Sequence, residues 1–191
     1  MLEPASVSGE AIAFGAGASG AHNACFTCHG FDGEGRGAVP RLAGLGAGYL
    51  TKQLFDYANE DRYDPVMGPI ARAMSDRDKR AVSRYYATLA PPPLTSTASP
   101  HLYAHGDARR GLRACADCHG AQGQGRGAGN PALAGQPAAY TVEQLRRWDR
   151  GERRNDPGNV MSPIARALTE REIEVIANYL AAIRSDQGRG A

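Results

Sequence analysis

The chain has 191 residues, with 22 Lys and Arg against 20 Asp and Glu, a formal net charge of only +2. Leu, Ile, Val and Phe number 30, about 16% of the chain. So thin an aliphatic supply suits disorder only when net charge is high, and here it points to a core filled partly by something other than side chains. The charge balance disfavours nucleic-acid binding, which needs a cationic surplus on one face, and no run of roughly eighteen apolar residues offers a membrane-spanning helix.

In chain order, residues 11–25 are expected to form a helix leading into Cys25-Phe26-Thr27-Cys28-His29. Two thiols three positions apart on a helical turn can each add to one vinyl group of a single haem. The next residue's imidazole then meets the iron from the same side, and Cys-x-x-Cys-His is the attachment signature of c-type haem. Gly33-Glu34-Gly35-Arg36-Gly37 resembles a nucleotide loop only superficially, because no strand precedes it; it reads as a turn around the haem edge. Leu50 to Tyr57 suggests a middle helix. Arg62 is placed either to pair with haem carboxylates or on a solvated surface. Ser75 and Asp78 resemble a capping box before a last helix whose Val82, Tyr85, Tyr86 and Leu89 recur at helical spacing.

The whole plan then repeats. CFTCHGFDGEGRG from Cys25 returns as CADCHGAQGQGRG from Cys115, and Pro40 returns as Pro131. Tyr49 and Gln53 return as Tyr140 and Gln144, Arg62-Tyr63-Asp64-Pro65 as Arg154-Asn155-Asp156-Pro157, and VMGPIARAMSDRD from Val66 as VMSPIARALTERE from Val160. Residues 106–115 and 142–148 match the first two helices, and Thr169 with Glu172 the capping box, ahead of Ile173, Ile176, Ala177, Leu180 and Ile183. The expected organisation is a domain at 1–90, a Pro/Ser/Thr linker at 91–100, where three prolines cannot continue a helix, and a second domain at 101–191. No alternating strand pattern appears, so the fold class is all-α. Domains of about 90 residues are marginal without a cofactor. Split at residue 95, the halves carry −1 and +3, an asymmetry too small to name a partner.

All four cysteines fall in the two motifs. A zinc ribbon sets its two pairs about 15–20 residues apart, against 90 here. A thioredoxin-like site needs a βαβ surround that neither motif has. Two haems are therefore expected, on Cys25 and Cys28 and on Cys115 and Cys118, with His29 and His119 as axial ligands. For the opposite face the chain has only Met1, Met67, Met74 and Met161. The repeat pairs Met67 with Met161 and Met74 with Leu168. Met67 and Met161 are thus the preferred ligands, and Met74 reads as core, since methionine fills apolar gaps as readily as it binds metal. Imidazole with thioether raises the reduction potential and closes both axial positions, which suits electron transfer. His22, His101 and His105 read as surface residues.

Two such domains in tandem resemble the dihaem class I cytochromes c of the cytochrome c4 family, over nearly the whole chain and with a Met-x-Pro-x-Ala downstream of each Cys-x-x-Cys-His. The resemblance implies two all-α cytochrome c domains, each wrapped around one covalently bound haem c. It also implies haems facing one another across the domain boundary, and a carbonyl at Pro40 and Pro131 accepting a hydrogen bond from each ligating histidine. The expected role is single-electron transfer, without catalysis, between periplasmic redox partners: an oxidase, a dehydrogenase or another cytochrome. Alternatives are a dedicated electron-accepting subunit of an oxidoreductase complex, or a haem enzyme such as a peroxidase or thiosulfate dehydrogenase. Glu3 and Glu10 bracket the N-terminus, and Ala11 to Ala16 is too short and glycine-broken for a signal h-region, so a leader is expected to have been removed or replaced. Membrane association would come only through a partner or a missing anchor. Two fewer residues precede Met67 than Met161, so the two potentials are expected to differ.

Overall fold

The computed structural model describes residues 7–91 and 98–183. Its first half holds five helices: α1 (Gly9–Ala13), α2 (Phe26–His29), α3 (Ala47–Ala58), α4 (Met67–Ala73) and α5 (Asp76–Thr88). The second half repeats the order as α6 (His101–His105), α7 (Cys115–His119), α8 (Ala138–Asp149), α9 (Met161–Arg166) and α10 (Glu170–Ala182). Among the described residues there is no strand, only three isolated bridges.

The middle and last helices lie where the apolar periods put them. Ser75 caps α5 by accepting from the Asp78 N–H, and Thr169 with Glu172 forms a complete capping box on α10. The leading helices do not match expectation. The segment 11–25 is α-helical only to Ala13, with a 3-10 turn at Ala21–Asn23, and 106–115 has only a 3-10 turn at Ala108–Arg110, its helix α6 lying upstream. Glycines explain both. Gly15, Gly17 and Gly20 in one copy and Gly106 and Gly111 in the other hold positive φ, which ends a right-handed helix at once. Most of the expected linker, residues 92–97, lies outside the described residues.

Each half has its own small core. Ile12, Ala13, Leu45, Leu50, Met74, Val82 and Tyr86 pack in the first; Tyr103, Ala134, Ile176, Tyr179, Leu180 and Ile183 pack in the second. Helix α1 crosses α5 closely because Gly9 lacks a side chain: a Cβ there would lie 2.2 Å from the Ala81 carbonyl oxygen. Helix α4 packs on α3, and α9 on α8, so the short helix that each preferred methionine opens rides on its domain's middle helix. No helix among the described residues is long and apolar enough to cross a membrane.

Candidate functional site

Both Cys-x-x-Cys-His motifs fold as single helical turns, with Cys25 capping α2 and Cys115 opening α7. Each turn stops at a glycine, Gly30 (φ 85°) and Gly120 (φ 84°). The four cysteines are free thiols, Cys28 exposed and the others half-buried. Burial pushes the Cys25 thiol up and the Cys115 thiol to about 11. A redox-active or nucleophilic cysteine needs the opposite shift, so the thioredoxin-like reading gains nothing here.

The histidines are fixed by their neighbours. The Pro40 carbonyl accepts from His29 Nδ1 at 2.9 Å, and the Pro131 carbonyl accepts from His119 Nδ1 at 2.8 Å. A carbonyl can only accept, so the proton sits on Nδ1 and the Nε2 lone pair is left for a metal. Burial lowers the pKa of both rings against the pull of these carbonyls, which keeps them neutral, as ligation requires. The glycine loop makes the bond possible. Gly35 (φ 69°) donates its N–H to the His29 carbonyl at 2.8 Å, and a Cβ on it would lie 2.4 Å from Pro40 C and Arg41 N. Gly125 donates to His119 O at 2.7 Å in the same way.

Met67 and Met161 each open a short helix, half-buried. Asp64 Oδ1 accepts from the Met67 N–H at 2.9 Å, and Asp156 Oδ2 from the Met161 N–H at 2.8 Å. The two extra residues before Met161 are absorbed in a turn at Pro157–Asn159, where Gly158 and Asn159 hold positive φ. The aspartate's grip on the methionine backbone therefore survives the insertion. Met74 is 5% exposed within the first core. His22, His101 and His105 are all exposed.

The arginines differ from expectation. Arg154 is not the mate of Arg62; its Nε donates to the Gly151 carbonyl of its own turn. Arg153 is the mate, bridging to Arg62 in antiparallel fashion at the same offset of 91 that relates Tyr49 to Tyr140 and Gln53 to Gln144. Asn-Asp-Pro and Tyr-Asp-Pro draw an alignment by eye one residue too far. Arg62 donates to Gln53 Oε1 (2.8 Å), Tyr140 Oη (2.9 Å) and Gln144 Oε1 (2.7 Å); Arg153 donates to Gln144 Oε1 (2.8 Å) and Asn155 Oδ1 (3.0 Å). The repeat of Tyr49 and Gln53 was visible in the sequence, but its use in a seam between the halves was not. A second seam, also missed, runs beside Pro40: the Arg41 N–H donates to Gln136 Oε1, and Gln136 Nε2 returns the bond to Arg41 O, both at 3.0 Å.

Haem fits these residues. Each half offers two thiols on one turn and an imidazole whose Nε2 is not used by the proline. Between the halves, Arg62 and Arg153 are 3% and 5% exposed, form no ion pair among the described residues, and leave Arg62 Nε buried without a hydrogen-bond partner. A buried cation calls for an anion, and haem carries carboxylates.

Comparison with known proteins gives a consistent picture. The family model for cytochrome c matches residues 15–90 and again 112–184. A protein of Stutzerimonas stutzeri (strain A1501) named thiosulfate dehydrogenase electron acceptor is 38% identical over 190 residues, covering 94% of this chain and 88% of its own. The crystal structure of reduced recombinant cytochrome c4 from Pseudomonas stutzeri is similar at 30% identity and a TM-score of 0.75, over 84% of this chain and 93% of that one. The as-isolated thiosulfate dehydrogenase TsdBA from Marichromatium purpuratum is similar at 36% identity and a TM-score of 0.80, over 91% of this chain. The match spans 39% of that longer chain.

Proposed function

Because the chain belongs to the cytochrome c family as a dihaem protein of the cytochrome c4 kind, with two covalently bound haem c groups, we propose that it takes single electrons from a periplasmic thiosulfate-oxidising dehydrogenase and hands them to a further redox protein. The observation that carries this reading is the 38% identity, over 94% of the chain, to a thiosulfate dehydrogenase electron acceptor, supported by the likeness to part of TsdBA.

The haem irons would supply a one-electron couple each, so the molecule takes up two electrons in all. The residues do the holding. Cys25 and Cys28 would fix the first macrocycle and Cys115 and Cys118 the second. His29 and His119, aimed by Pro40 and Pro131, would hold one axial position, and Met67 and Met161, anchored by Asp64 and Asp156, the other. Domains 1–90 and 101–191 on either side of the 91–100 linker then form one electron path. A free carrier serving an oxidase is the second reading, favoured by the likeness to cytochrome c4 over 93% of that chain.

The test is stopped-flow reduction of the oxidised dihaem protein by thiosulfate in the presence and absence of a thiosulfate dehydrogenase. Rapid reduction of both haems only with the dehydrogenase supports the acceptor reading. Reduction by thiosulfate alone would make the chain an enzyme. No reduction in either case would leave the free-carrier reading in its place.

A further inference from the structure

Three of the four phenylalanines in the chain, Phe14, Phe26 and Phe31, gather on one stretch of surface. Their ring centroids lie 5.1, 4.9 and 6.1 Å apart, with Phe14 stacked on Phe26 and Phe31 leaning on both. Phe31 is 67% exposed and Phe14 42%. Single exposed apolar side chains need no explanation, but a contiguous aromatic cluster marks an interaction site.

The internal repeat supplies the control. At the matching positions of the second copy, Phe26 is Ala116 and Phe31 is Ala121. Helix α7 and its glycine turn form with those alanines just as α2 does, so the rings are not needed to fold the motif. Phe26 lies between Cys25 and Cys28, which sets the cluster on the thioether side of the first haem site. The charged side chains within four positions of the three rings are Glu10, Asp32 and Glu34. All are acidic and exposed, and Glu34 accepts from the Asp32 N–H at 3.2 Å, which holds it on the rim.

We propose that Phe14, Phe26 and Phe31 form the electron-entry patch of the N-terminal domain, docking a redox protein whose contact face has an apolar centre ringed by Lys and Arg. The inference rests on the electron-acceptor reading above and adds the port and the chemistry of the donor's face. Complementary charge on the rim steers the encounter, and the small apolar centre keeps it brief. A second copy of this chain is the rival occupant.

The test uses the oxidised dihaem protein and three reductants: ascorbate, a reduced monohaem cytochrome c whose haem edge is ringed by lysines, and a thiosulfate dehydrogenase with thiosulfate. The variant F14S/F26A/F31A is expected to lose tenfold or more in second-order rate with the lysine-ringed cytochrome, while its ascorbate rate and visible spectrum stay within error of the parent. The variant D32N/E34Q, which leaves the rings in place, is expected to lose severalfold and to flatten the dependence on ionic strength. Unchanged rates with the protein donor would overturn the proposal. So would an altered ascorbate rate, which would put the rings in the haem pocket, or a sedimentation profile showing a dimer that the ring variant dissolves. Loss with the lysine-ringed cytochrome alongside a parent protein that the dehydrogenase cannot reduce would keep the patch and remove the dehydrogenase as donor.

Discussion

Arg62 and Arg153 meet as an antiparallel backbone pair between the two halves of the molecule, each guanidinium reaching the glutamine of the opposite half. Two like charges thus share one buried seam, surrounded by amides and phenols. Their cations hold the Tyr140 phenol below its usual range against the effect of burial.

A buried positive charge disfavours the ferric state, so its removal lowers the reduction potential. R62Q keeps hydrogen bonding and loses the charge. Its haem potentials are expected to fall by on the order of 1 kcal/mol, about 40 mV for a one-electron couple. R62K is expected to restore most of the difference. Spectroelectrochemical titration reads the change, and equal potentials in R62Q and parent would show that the charge is already neutralised.

Met67 and Met74 make opposite predictions. M67A should open one iron, so the dithionite-reduced protein binds one equivalent of carbon monoxide while the parent binds none. M74A should leave both irons closed and cost about 2–5 kcal/mol by emptying a packed core site. Visible spectra with carbon monoxide and denaturant melts separate the two. Carbon monoxide binding by M74A in place of M67A would exchange their roles.

Gly35 and Gly37 both hold positive φ, but only Gly35 is crowded by the Pro40–Arg41 backbone; nothing lies within 4 Å of a Cβ on Gly37. G37A should therefore cost about 1–2 kcal/mol, the strain of a left-handed residue alone. G35A adds a backbone collision beside the His29–Pro40 bond and should cost about 3 kcal/mol or more. Comparing their urea midpoints isolates the collision.

Glu172 accepts from Arg110 at 2.7 Å and closes the α10 capping box. The Arg110 guanidinium, with help from the Thr169 backbone and hydroxyl, lowers its pKa from 4.5 to about 2. The folded pKa is the lower one, so this stabilisation is complete above about 4.5 and is lost as pH falls toward 2. The carboxylate is partly solvated, which limits the effect to roughly 1 kcal/mol. E172Q should lie below the parent in melting temperature at pH 7 and converge with it by pH 2 to 3.

The parts of this molecule that were legible in the sequence are those whose chemistry is local. A cysteine pair with its histidine, a Ser-x-x-Asp start and a run of Ile and Leu at helical spacing each carry their reason within a few residues. The leading helices were misjudged because Gly15 and Gly106 ended periods that composition alone left open. The seams were invisible for a different reason. Arg62, Gln144 and Arg153 become partners only when the halves are brought together, and no spacing within one copy predicts that. The three phenylalanines were equally hidden, since Phe14 stands eleven residues before the motif it joins.

The reciprocal bonds between Arg41 and Gln136 also determine how the molecule can move. Two opposed bonds between one backbone unit and one amide resist both sliding and opening, and Arg41 Nη2 adds a third to the Ala134 carbonyl at 2.8 Å. The clasp sits one residue from the proline that aims His29, and five from the one that aims His119. With haem held at His29 and His119 as proposed, this clasp would keep the two sites at a fixed separation, and electron exchange between them is expected to follow driving force and to be indifferent to solvent viscosity.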